Sequence, residues 1–117
     1  MKRKNCCPIA QALGVLGDKW SLIVLRDVIF GKKRHFNDLL ASPEKISTNI
    51  LSNRLKALQE ESLLCCSVDL ENRRSKIYTP TEKAQDLVPV LVELHKWGEK
   101  YNDRADTVEN LKQAEPF

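Results

Sequence analysis

The sequence predicts a mainly α fold that carries one small β-hairpin. Three observations lead there. Before residue 62, four stretches place apolar side chains at helical spacing. At Leu64 the period drops to two, the period of a strand with one face buried. After Thr81 a long segment returns to helical spacing. A chain of 117 residues is long enough for one domain with one core.

The first helix is expected over 8–16, with Ile9, Leu13 and Leu16 on one face. Pro8 suits a first helical position, where its missing N–H does no harm, and Gly17 ends the element. Asp18 caps a second helix from Lys19 to about Phe30. Trp20, Ile23, Val24, Val28 and Leu25 or Ile29 make that helix apolar nearly all round, as in the buried centre of a bundle. Gly31-Lys32-Lys33-Arg34 is a basic break. A third, short helix runs from about Phe36 to Ala41 and is followed by the turn Ser42-Pro43-Glu44-Lys45. Ser47 or Thr48 caps a fourth helix to about Glu61, with Leu51, Leu55 and Leu58 inward.

Leu64, Cys66, Val68 and Leu70 are expected on the buried face of a strand, with Cys65, Ser67 and Asp69 outward. Glu71 to Ser75 form a polar turn, and Lys76 to Thr79 form the return strand. Thr79 and Glu82 have capping-box spacing, so a fifth helix is expected to begin near Thr81. It bears Leu87, Val88, Leu91, Leu94, Trp97 and Tyr101, and Pro89 should kink it. Residues 113–117 are expected to fray.

Composition limits the function. Apolar residues make up 42% and charged residues 30%, with no apolar run of membrane-spanning length. The basic start Met1-Lys2-Arg3-Lys4-Asn5 is followed by no apolar signal core, so a cytoplasmic location and reduced cysteines are expected, with no membrane partner. Charge is unevenly spread. Residues 1–56 hold 11 Lys/Arg against 4 Asp/Glu, a charge of +7, and residues 57–117 hold 8 against 12, a charge of −4. This split suggests one surface facing a polyanion and another facing away.

The short helix, turn and capped helix over about 36–62 form a helix-turn-helix, and the hairpin over 64–79 is its wing. The single domain 1–117 then closes with a C-terminal helix over about 81–112. On the fourth helix, the face opposite the leucines shows Thr48, Asn49, Ser52, Asn53 and Lys56. These are groups small enough, or suitably charged, to reach base edges in a major groove. Phosphates would repel carboxylates there, and none lies between Glu44 and Glu60. A helix that only solvates a surface usually mixes Glu with Lys. Ser47 and Thr48 can offer hydroxyls and backbone N–H groups to phosphate. Arg73 and Arg74 at the hairpin tip, with Lys76 behind them, suit the duplex backbone or minor groove.

The chain resembles the HxlR family of winged helix-turn-helix regulators, which are related in fold to the MarR regulators. The resemblance runs from Cys7 to about Gly98. It rests on Cys7-Pro8, Gly17-Asp18-Lys19-Trp20, Leu25-Arg26, Arg34 to Leu39, Ile46-Ser47, Leu51 to Leu55, Tyr78, Thr81-Glu82, Pro89-Val90-Leu91 and Trp97-Gly98. It implies a transcription factor that binds double-stranded DNA as a homodimer, with repression as its default action. It implies further that the first and last helices build the dimer, and that Arg54 anchors the recognition helix to phosphate or to a carboxylate. Two positions depart from the family pattern. Ala84 stands where Gly is usual and Pro80 where Leu is usual, and both bear on how the fifth helix begins. The apolar residues of the last helix also call for cover on their own account: Leu91, Leu94, Trp97 and Tyr101 exceed what a lone surface helix presents.

Cys7 precedes Pro8 at a helix start, near Lys2, Arg3 and Lys4. A helix N-terminus and nearby cations both favour a reactive thiolate, so Cys7 is the candidate redox residue, beside the alternatives that it packs as a small apolar group or that Cys6 reacts instead. In some members of the family that it resembles, the equivalent cysteine is a switch for oxidants or electrophiles. Cys66 is expected inside and inert, Cys65 outside. Neither a metal nor another cofactor is expected: the Cys6-Cys7 and Cys65-Cys66 pairs are adjacent, a poor spacing for zinc, and His35 and His95 are distant in sequence. No phosphate loop or nucleophile elbow points to an enzyme. The rival readings are a winged helix that binds protein and a metal-sensing repressor.

Overall fold

A computed structural model describes residues 7–102. The elements are α1 (Pro8–Leu16), α2 (Lys19–Ile29), α3 (Phe36–Leu40), α4 (Thr48–Glu60), β1 (Leu64–Val68), β2 (Lys76–Pro80), α5 (Glu82–Gln85) and α6 (Val88–Tyr101). The four helices before the hairpin stand within a residue or two of their expected ends.

Helix α2 is central because it has almost no polar face to give to water. Its Val24, Leu25 and Val28 are buried, and α1, α3, α4, β2 and α6 all pack on it. Leu39, Leu51, Leu55, Leu58, Leu63 and Leu64 complete the core around it. Each such side chain contributes about 1.5–3 kcal/mol by leaving water. The caps expected on α2 and α4 form: Trp20 N–H donates to Asp18 Oδ1 at 2.6 Å, and Ile50 N–H donates to Ser47 Oγ at 3.2 Å. Each satisfies a backbone donor that the helix itself leaves open.

The hairpin is antiparallel, with Leu64 opposite Pro80, Cys66 opposite Tyr78 and Val68 opposite Lys76. Its base is fixed on three sides. Tyr78 N–H donates to Arg34 O at 2.8 Å, Thr81 N–H to Leu63 O at 3.2 Å, and the Thr81 hydroxyl to Ser62 O at 2.6 Å.

The structure corrects the sequence reading in three places. Only Leu64 of the expected buried strand face is inside; Cys66, Val68 and Leu70 are exposed. Opposite Cys66 the larger Tyr78 of β2 is the side chain that enters the core, while Cys66 itself is left exposed, so Cys66 is not a core thiol. Second, Thr79 pairs with Cys65 inside the sheet, and the helix cap is Thr81, whose Oγ1 accepts the Ala84 N–H at 3.2 Å. Third, Pro89 kinks no continuous helix. The chain breaks after the short α5, and Pro89 sits in the first turn of α6, where no N–H is needed. Ala84 is fully buried at the start of α5, so its methyl group fills core space, and Pro80 ends β2. Lys2, Arg3, Lys4 and Cys6 lie outside the described residues, as do the expected helical continuation to 112 and the frayed end at 113–117. No described helix is long and apolar enough to cross a membrane.

Candidate nucleic-acid interface

The burial of α4 is sharply two-sided. Leu51, Leu55 and Leu58 are at most 2% exposed, while Thr48, Asn49, Ser52, Asn53 and Lys56 face solvent. Three inward leucines fix the rotation of the helix, and that rotation alone turns the polar strip outward. Ser47 is also exposed, but its hydroxyl already accepts from Ile50 N–H.

Arg54 does not join the open strip. Its Nη1 turns back to 3.7 Å from Asp18 Oδ2 and 3.5 Å from Ser21 Oγ. A carboxylate is one of the two partners that the family resemblance implied for it. Asp18 therefore serves twice, with Oδ1 capping α2 and Oδ2 facing the arginine of α4.

A second, stronger clamp holds the turn between α3 and α4. Arg26 forms a bidentate pair with Glu44, Nη1 to Oε2 at 2.7 Å and Nη2 to Oε1 at 2.8 Å. Its Nε and Nη2 also reach Asp27 Oδ1 at 3.0 and 2.8 Å. Ser42 donates its hydroxyl to Glu44 Oε1 at 2.6 Å. Hydrogen bonds from Arg26, and then from Ser42, outweigh partial burial and lower the Glu44 carboxyl to about 2. For Arg26, desolvation opposes the charged form, but Glu44 and Asp27 more than offset it and raise the guanidinium further. Because the Glu44 carboxyl is depressed when folded, its stabilising effect is present above about pH 4.5 and is lost as pH falls toward 2. Lys45 follows in the left-handed region, φ 64°, and its N–H donates to Ser42 O at 2.9 Å, closing the turn.

At the wing tip, Arg73 and Arg74 are exposed, with Lys76 exposed at the start of β2. The turn that carries them is built on Asp69 and Asn72. Asp69 Oδ1 accepts Glu71 N–H at 2.9 Å, Asn72 Oδ1 accepts Arg74 N–H at 3.2 Å, and Ser75 N–H donates to Asn72 O at 2.8 Å. The Glu71 N–H, then the His35 ring, hold the Asp69 carboxyl below its ordinary value. A cleft of about 290 Å³ separates the wing from α3, lined by His35, Phe36, Asn37, Arg74, Ser75, Lys76 and Tyr78. It draws Arg74 and Lys76 together with His35 and Asn37, which the sequence reading did not select.

Cys7 is exposed at the N-cap of α1, and its carbonyl accepts Gln11 N–H at 3.0 Å. Among the described residues, no three His, Cys, Asp or Glu side chains converge as a metal site. The Arg26 clamp also went unread in the sequence. Its signal was Asp27, a carboxylate in a helix otherwise apolar nearly all round, since a buried charge needs a partner.

Known proteins share this architecture and sequence. The family model described as HxlR-like helix-turn-helix matches residues 15–106. The uncharacterized HTH-type transcriptional regulator YdeP of Bacillus subtilis (strain 168) is 35% identical over 109 residues, 93% of this chain and 84% of YdeP. The HTH-type transcriptional regulator YodB of the same organism is 30% identical over 92% of this chain and 96% of its own. Its reduced form superposes with a TM-score of 0.65 at 25% identity, covering 85% of this chain and 97% of that one, and quinone-bound and diamide-treated YodB structures match as well. The redox regulator HypR in its oxidized form gives a TM-score of 0.72 at 26% identity, over 84% of this chain and all of HypR. With its winged helix-turn-helix in place and these matches spanning most of its length, the chain belongs to the HxlR-like helix-turn-helix family of transcriptional regulators.

Proposed function

We propose that this chain acts, as one winged helix-turn-helix unit over 1–117, by binding specific double-stranded DNA and repressing transcription from it. The observation that carries the reading is the face of α4: an acid-free strip of hydroxyl, amide and ammonium groups held outward by three buried leucines. In this reading Asn49, Ser52 and Asn53 meet base edges, while Ser47, Thr48, Lys56, Arg73, Arg74 and Lys76 meet the backbone. Arg54 acts behind them by holding α4 to Asp18. Selecting duplexes from random DNA tests this, followed by titration across salt. Contact with several phosphates predicts that log K falls steeply against log salt, by about 0.9 per phosphate. Salt-insensitive binding, or no preferred duplex, contradicts it and favours a protein-binding module.

The same reading includes a homodimer in the cytoplasm. On the single chain, Ile9 and Leu13 of α1 are 71% and 57% exposed, and Leu94, Trp97 and Tyr101 of α6 are 49%, 68% and 64% exposed. Large apolar side chains left open on two helices suit an interface between two copies. Two protomers would then read half-sites about 34–36 Å apart, or a multiple of that.

Cys7 is the proposed sensor. It is exposed at the N-cap of α1, one of the two helices assigned to the dimer, and diamide-treated YodB is among the solved relatives. An oxidant or electrophile that modifies it would act at the seam between protomers. Diamide should therefore weaken operator binding by the wild-type protein at least several-fold and leave Cys7→Ser unaffected. A Cys7→Ser protein that keeps the full response moves the sensor elsewhere, and Cys6, the alternative that the sequence offers, is the next thiol to replace, ahead of Cys65 and Cys66, both exposed on the wing.

A further inference from the structure

The cleft of about 290 Å³ between the wing and α3 has two walls that are tied together in the free chain. His35 Nε2 lies 3.1 Å from Asp69 Oδ2 on the wing, and its Nδ1 lies 3.5 Å from Asp38 Oδ2 on α3. Tyr78 N–H of β2 donates to Arg34 O, just before α3, at 2.8 Å. The side chains of Asp69 and Asn72 hold the wing turn itself. The cleft is therefore built before any ligand arrives.

Its lining is rich in donors. The wing supplies the Arg74 guanidinium, the Ser75 hydroxyl and the Lys76 ammonium, and α3 supplies the Asn37 amide. Arginine and lysine offer N–H groups only, and the amide adds two more. The nearby carboxylates do not line the space: Asp38 and Asp69 face His35, and Glu71 stands at the wing tip. Among the described residues, no carboxylate pairs with Arg74 or Lys76. Two uncompensated cations, a hydroxyl and an amide around one space suit an anion with several acceptor oxygens. These are also the side chains that commonly hold phosphate in protein–DNA contacts. The cleft is larger than one phosphate group, and Phe36 and Tyr78 give it an apolar side for the sugar next to it.

We propose that this cleft takes one phosphodiester of the DNA backbone, gripped from the wing by Arg74 and Lys76 and from α3 by Asn37. This rests on the DNA-binding reading above, and it adds Asn37, a residue outside both the recognition helix and the wing. A phosphate contact sets register and carries no sequence information of its own. Held from both walls, one phosphate fixes the wing and α4 together on the duplex, because α3 leads through the turn clamped by Arg26 and Glu44 into α4.

The test pairs a charge change on the protein with a charge change on the DNA. Asn37 is exposed in the first turn of α3, where a carboxylate is well tolerated, so Asn37→Asp should fold as the wild type does, and thermal melts check that. Both full-length proteins are titrated by fluorescence anisotropy with the selected duplex and with duplexes carrying one neutral methylphosphonate at a time. Asn37→Asp should bind the unmodified duplex roughly tenfold or more weakly, because like charges then face each other. At one linkage in each half-site, neutralising the phosphate should weaken the wild type and strengthen Asn37→Asp. Neutral linkages elsewhere should affect the two proteins alike. A wild type that binds DNA with no linkage at which the sign reverses overturns the inference and leaves DNA binding intact. Inorganic phosphate at fixed ionic strength is the second probe: if it displaces the duplex while no linkage reverses sign, the cleft belongs to a free anion and the inference falls. A wild type that binds no duplex overturns both readings.

Discussion

Asn53→Asp should reduce operator binding by roughly 100-fold or more while leaving the fold unchanged. The substitution keeps size and shape, and the position is exposed, so the expected effect on stability is within about 0.5 kcal/mol. What changes is the outer edge of the side chain. An amide both donates and accepts, and a well-placed amide pair with adenine contributes about 1–3 kcal/mol of discrimination. The carboxylate loses the donor and adds a negative charge on a strip that has none from Lys45 to Gln59. Both effects act against a polyanion, so Asn53→Asp should be worse than Asn53→Ala. Circular dichroism and anisotropy titration of the two variants check the claim, and equal affinity for wild type and Asn53→Asp would show that this face does not lie against DNA.

The second large effect is expected at Trp97→Glu. Trp97 is 68% exposed on the single chain and touches Tyr101, ring centroids 5.5 Å apart. Because its neighbours are themselves open to water, a charge there should cost the protomer little. In a dimer seam the same charge is buried without a partner, which is expensive, and aromatic anchors at such sites are commonly worth 2 kcal/mol or more. Sedimentation should show a wild-type dimer and a monomeric Trp97→Glu protein. Operator affinity should fall by about 100-fold, since each protomer then grips one half-site alone. A variant that still sediments as the wild type would remove α6 from the interface.

Most of the architecture could be read from spacing and punctuation. Pro8, Asp18 and the pair Ser47-Thr48 mark helix starts, with Ser47 the one that caps, and the leucines of α4 fix its inward face, so the candidate strip follows directly. The errors share one cause: alternation and spacing report what a local segment can do, not what it packs against. Cys66 has the right parity for burial, but Tyr78 across the ribbon is the side chain that enters the core and Cys66 stays exposed. Thr79 has capping-box spacing but is held in the sheet by its partner Cys65, so Thr81 takes the cap. Pro89 reads locally as a mid-helix proline, whereas the break at Asp86-Leu87 makes it part of a helix start. The links that hold the site in place were the least legible. Arg26 with Glu44 is separated by 18 residues and His35 with Asp69 by 34, and no local pattern reports such pairs.

The central claim is that the outward face of α4 lies against DNA, and backbone amide chemical shifts during titration with the selected duplex test it most directly. The account predicts that the largest changes fall on Ser47 to Lys56 and on Arg73 to Lys76, with Leu94, Trp97 and Tyr101 nearly still. Changes concentrated on α6 with α4 unmoved would contradict it.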